Sequence, residues 1–255
     1  MNKQKEKNRL DKLWKKMRRR FKSFLHTGHS EQLHQFRVEV KKVRSFLTLL
    51  EADKKNRGLL KEFKPVKKMF KSAGVIRDAM LHRKQAEEQG IKEQSVYQNK
   101  EDEQRREQKK LLGNGRKYLH TMKDVKKRLY KHVHTITGDK MKAFFQNQID
   151  TAYQLLSTYK FTEQLHDGRK ALKHLLYNKQ AAQKVSGKEP GINFMYVDEL
   201  QKVLGQWHDN KLSLDVFRQN LNVKQIQSLE TNNKQLQNVV TQKATDFLLH
   251  INNNK

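Results

Sequence analysis

SEQLHQFRVEVKKVR, residues 30–44, sets His34, Arg37, Lys41 and Arg44 on one helical face, while Leu33, Phe36, Val40 and Val43 recur on the face beside it. At about 100° per residue the four basic side chains share an arc of about 80°, so the cations border an apolar seam instead of turning to open water. That periodicity predicts a helix capped by Ser30 and continued through Leu47 and Leu50. A helix built only for solubility would intersperse carboxylates at i,i+4. Here Glu39 alone intervenes, on another face.

The pattern returns. TEQLHDGRKALKHLLY begins at Thr162 and aligns at a shift of 132 residues (166 − 34), with Thr162 as the cap in place of Ser30. His166, Arg169 and Lys173 take the same face, and Lys170 and His174 stand at its edge. SAGVIRD, residues 72–78, is answered by VLGQWHD, residues 203–209, which pairs Gly74 with Gly205 and Asp78 with Asp209 at a shift of 131. Glycine inside a helix costs about 1 kcal/mol against alanine, so both glycines point to a close approach or a local bend. Arg77 and His208, one step before each Asp, can reach the basic face. Asp78 and Asp209 are expected to orient its cations through charge-assisted hydrogen bonds, or else to cap helices.

Outward from these stretches the chain reads as all-α, with only two prolines, Pro65 and Pro190. Leu10, Leu13, Trp14, Met17, Phe21 and Phe24 form a first seam, and HTGHS breaks the chain before Ser30. A third element runs from about Leu59 through Met69 and Phe70 towards Glu88. Residues 92–112 form a densely charged helix, GNG at 113–115 a loop, and a further basic helix ends near Thr137. In the second half, the segment 138–160 stands where the first helix stood, and GKEPG at 187–191 makes a turn. The expected architecture is two pseudo-twofold-related four-helix-bundle repeats, residues 1–133 with a charged extension and 134–255, forming one domain with a basic central cavity.

Composition narrows the partner. The 55 Lys and Arg against 27 Asp and Glu give a formal charge of +28, far beyond the need of solubility, and a polyanion is the natural counterpart. There is no cysteine, which excludes disulfides, thiolate nucleophiles and cysteine-based zinc sites and suits a reducing cytoplasm. No segment reads as a signal peptide or a membrane span. The EQLH at each helix start matches half of a di-iron carboxylate set, but Glu31 and Glu163 sit where a helix dipole favours acids, and the neighbouring Arg37 and Lys41 would repel a dication. His132 and His134 read as surface residues. No Walker loop, nucleophile elbow or zincin helix is present, so no catalytic residue, metal or cofactor is expected.

LHQFRVEVKKVRSFL and SAGVIRD, with their echoes LHDGRKALKHLLY and VLGQWHD, resemble the CHAD family of α-helical domains over nearly the whole chain. The resemblance implies paired four-helix bundles around a basic cavity that binds inorganic polyphosphate, in a cytoplasm with polyphosphate granules. Carried over by position, the binding residues would be His34, Arg37, Lys41, Lys42, Arg44 and Arg77, then His166, Arg169, Lys173 and His174, to which the pattern of the second stripe adds Lys170 and His208. The second set departs from the pattern, with Leu176 in place of an arginine, Gly168 interrupting the helix and His208 as the polar partner. The ExExK signature of the triphosphate-tunnel domain often fused to this family is missing, so binding without turnover is implied. Nonspecific nucleic-acid binding is the alternative, weakened because no aromatic ladder interleaves with the cations.

Overall fold

A computed structural model describes residues 3–91, 95–185 and 191–252. Every regular element among them is helical. The chain divides into two compact units, Met1–Thr137 and Gly138–Lys255.

In the first unit, α1 (Lys3–Thr27) and α2 (Ser30–Glu51) form a hairpin, followed by the short α3 (Leu59–Glu62), α4 (Lys64–Glu88), α5 (Ser95–Gly113) and α6 (Gly115–His132). Helix α2 packs on α1 and α4, and α6 packs on α1 and α4. Both apolar seams enter the core as their spacing requires: Leu10, Trp14, Met17, Phe21 and Phe24 from α1 meet Leu33, Phe36, Val40, Val43, Leu47 and Leu50 from α2. Only Leu13 stays half-exposed. Pro65 falls in the first turn of α4, where its missing N–H is harmless.

Three details differ from the sequence reading. Ser30 is already helical and does not cap. His29 holds the extended N-cap position without a side-chain bond, and its amide donates to Thr27 Oγ1 at 3.2 Å. Helix α6 stops at His132, five residues before Thr137. There the buried side chain of Asn56 accepts the His134 amide at 2.7 Å, and Val133 and Ile136 are drawn fully into the core. The GNG loop shrinks to Asn114 between α5 and α6. Of the expected charged helix, residues 92–94 lie outside the described set.

The second unit comprises α7 (Gly138–Leu156), α8 (Glu163–Val185), α9 (Phe194–Phe217), α10 (Val223–Thr245) and α11 (Phe247–Asn252). Each of α7 to α10 packs on its chain neighbour, and α11 packs on α9. Thr162 does cap α8, its Oγ1 accepting the Gln164 amide at 3.4 Å. Gly168 does not interrupt α8: it is buried, and a Cβ there would sit in ordinary contact with Leu155 and Leu156 of α7. Of the expected turn GKEPG, residues 187–190 lie outside the described set.

Candidate functional site

Helix α4 presents Phe70, Gly74 and Asp78 at successive i,i+4 positions, and Arg37 of α2 lies along this strip. Its Nη1 donates to the Phe70 carbonyl at 3.4 Å, its guanidinium carbon sits 4.6 Å from the centre of the Phe70 ring, and Nη2 is 4.0 Å from Asp78 Oδ1. A Cβ at position 74 would collide with Arg37 Nη1, so a larger residue there would have to displace the arginine head group. The arginine side chain keeps only 16% of its exposure. Burial pushes its pKa down and Asp78 pushes it back up, but a guanidinium remains charged throughout.

Helices α8 and α9 repeat the arrangement with different side chains. Arg169 Nε donates to the Gln201 carbonyl at 3.1 Å, and a Cβ on Gly205 would collide with Nη2 and stand 2.9 Å from Cζ. Asp209 favours the charged guanidinium against the effect of burial. The sequence reading expected the glycines to admit a neighbouring helix or a bend. What they admit is an arginine head group, and each aspartate steadies it.

Around these arginines the two faces diverge. His34 is half-buried and held below its ordinary pKa, first by burial and then by Arg77, with Lys41 and Arg37 adding to the effect and Glu31 opposing it. Lys41 shares the Phe70 ring with Arg37 at 5.9 Å, and Arg44 is exposed one turn on. In the second unit His166 is likewise held low by burial, then by Lys170 and His208, and its ring centre lies 4.9 Å from that of His208. Its Nδ1 is buried and has no hydrogen-bond partner. Lys173 is half-exposed at the position of Lys41.

A model of the CHAD domain family matches residues 8–218. The chain belongs to the CHAD domain family. Comparison with curated proteins gives no match. The matched span of the CHAD domain includes both arginine stations and ends within the second unit, so α10 and α11 lie beyond it. Family membership is compatible with binding polyanions in general. No helix among the described residues is long and apolar enough to cross a membrane, and none of their His, Asp and Glu clusters in threes to hold a metal ion.

Two residues carried over by position, Lys42 and His174, are engaged away from the faces of the CHAD domain. Lys42 pairs with the buried Glu39 at 2.8 Å, on the far flank of α2. His174, at the matching position of α8, sets its ring edge against Phe144 of α7 at 6.3 Å. Both stand about 80° round the helix from the leading histidine, beyond the stripe. Lys170 is exposed and tied to Asp167 at 2.6 Å. Sequence reasoning also passed over Phe70, the aromatic beneath Arg37 and Lys41. Its place four residues before Gly74 was the available signal.

Proposed function

We propose that this CHAD protein binds inorganic polyphosphate without turning it over, through the face of α2 and α4 that carries His34, Arg37, Lys41, Arg44 and Arg77 and the face of α8 and α9 that carries His166, Arg169, Lys173 and His208. The observation that carries the reading is the arginine laid over a glycine in both units. Each guanidinium is fixed by a backbone carbonyl and an aspartate, with lysine and histidine or arginine at its edge. A pre-positioned fork with mobile cations beside it suits closely spaced phosphoryl oxygens, since little side-chain freedom is left to lose on binding. Asp78 and Asp209 are read as partners of the arginines, not as catalytic groups. The reading includes the duplicated repeat and basic cavity that the family resemblance implies, and a cytoplasmic protein associated with polyphosphate granules.

The test is a competition titration of the full chain with long-chain polyphosphate, duplex DNA and single-stranded RNA at equal phosphate concentration and physiological salt. Polyphosphate should bind most tightly, with an affinity that falls steeply as salt rises. Equal affinities would replace this reading with nonspecific nucleic-acid binding, and release of orthophosphate during the titration would make the protein an enzyme.

A further inference from the structure

The first unit holds a second cationic surface that the CHAD motif does not include. Between α1 and α6 runs a cleft of about 480 Å³ lined by Trp14, Lys15, Arg18, Arg19, Lys22, Lys123 and Lys126. The α1 residues recur at i, i+1, i+4, i+5 and i+8 and therefore share one side of that helix, while Lys123 and Lys126 are one turn apart on α6. The helices themselves are locked by the core beneath, where Trp14 packs edge-on against Phe63 at 6.0 Å and Met122, Val125 and Leu129 are fully buried. The cations are thus held together by the fold, although like charges at this spacing repel.

Neutralisation is confined to one end. Asp11 forms ion pairs with Lys15, at 2.8 Å, and with Lys126, and these two bonds pull its carboxyl down to about 2. Among the described residues, Arg18, Arg19, Lys22 and Lys123 have no carboxylate within 4 Å. The indole Nε1 of Trp14, in the wall of the same cleft, is buried and donates to nothing. A concave site with four cations that meet no carboxylate focuses positive potential, which a flat, solvated lysine surface does not.

We infer that the α1–α6 cleft binds a compact oligophosphate, an anion whose several negative charges lie close enough together to meet Arg18, Arg19, Lys22 and Lys123 at once. The cleft falls in the size range of small-molecule sites, about 300–1,000 Å³, which favours a short multiply charged anion over a duplex or a membrane surface. The inference is independent of the α2–α4 face, because it uses other residues on other helices.

Trp14 supplies the readout. The chain has two tryptophans, so Trp207→Phe leaves Trp14 alone to report. Titrating that full-length variant with sodium tripolyphosphate at physiological salt should give a saturable change in Trp14 emission. Adding Arg18→Gln, Lys22→Gln and Lys123→Gln should weaken it at least about tenfold, whereas Lys109→Gln with Lys110→Gln should leave it in place. Calorimetry on the chain with both tryptophans, with and without the three cleft substitutions, gives the same comparison if Trp207→Phe does not fold. A response without saturation, or one that the three substitutions leave unchanged, overturns the inference. So does saturation by phosphatidylserine vesicles or duplex DNA at lower phosphate concentration than tripolyphosphate. Long-chain polyphosphate competition with Lys41→Gln and Arg77→Gln reads the other face, so either proposal can fail alone.

Discussion

Arg37 and Arg169 are held by the same devices: a glycine that makes room, a carbonyl four residues before that glycine, and an aspartate four residues after it. Their surroundings differ in kind of charge. The first face adds Arg77 and Arg44, which are charged at any pH the protein meets, and the Phe70 ring beneath Arg37 and Lys41. The second has His208 where Arg77 stands, Leu176 where Arg44 stands, and Gln201 where Phe70 stands. The arginine, the glycine and the aspartate are the same in both units, whereas the rim is not. Both rims keep a histidine and a lysine, and the first adds the arginines Arg44 and Arg77.

The largest consequence concerns affinity. Replacing Lys41, Arg44 and Arg77 together with Gln should weaken polyphosphate binding by about thirtyfold or more and lower the salt slope by about three, as expected for three lost phosphate contacts. Lys173→Gln in the second unit should cost about threefold. Titration at several salt concentrations measures both, and equal losses would erase the distinction between the faces.

Next comes pH. His34 and His166 are held below the ordinary imidazole value in the free protein. Phosphate oxygens favour the imidazolium and raise the bound-state pKa, so binding takes up protons. Affinity should therefore climb as pH falls from the bound-state pKa through the free-state pKa and level off below both, by up to about tenfold for each histidine whose pKa rises one unit. His166→Gln should flatten this profile more than His34→Gln, because the first rim keeps Arg44 and Arg77. A dissociation constant that is flat between pH 8 and 5.5 would show these imidazoles to be neutral donors.

A smaller effect belongs to the glycines. Gly74→Ala gains about 1 kcal/mol of helix propensity but evicts the Arg37 head group, whose bond to a carbonyl is worth about 1.5–3 kcal/mol as a charged donor. Net destabilisation of about 1 kcal/mol should appear in a thermal melt. Gly205→Ala should cost less, since Arg169 has no aromatic ring to leave. A raised melting temperature in either variant would mean that the arginine moves aside at no cost.

The smallest effect is expected from Lys42→Gln and His174→Gln, which should each change polyphosphate affinity by less than about twofold, because their side chains serve Glu39 and Phe144. A large loss from either would return that position to the binding face.

Much of this was legible in the sequence where a regularity within one helix determines the outcome. The seams of α1 and α2, the basic stripe and the paired glycines all follow from a period of 3.6 residues and from the match between residues 30–44 and 162–176. What lay out of reach depends on how one helix meets another. Arg37 lies on Gly74 only because α2 and α4 pack in one register, and nothing in a cation's identity says whether it flanks the stripe or, like Lys42, reaches a buried carboxylate. The cleft between α1 and α6 joins residues about a hundred positions apart with no motif in common. The end of α6 was misjudged because the buried Asn56, far away in sequence, captures the His134 amide.

The carbonyls that hold the two arginines have another claimant. In an α-helix the oxygen of residue 70 accepts the amide of residue 74, and that of residue 201 accepts the amide of residue 205. Each guanidinium therefore shares its acceptor with the backbone amide of the glycine it covers. Were a phosphoryl oxygen to lock the pre-positioned arginine where it lies, the carbonyl would keep both donors and the glycine amide its cover. Gly74 and Gly205 thus become clocks for solvent deuterium, through which an event among side chains is registered separately in the main chain of each unit.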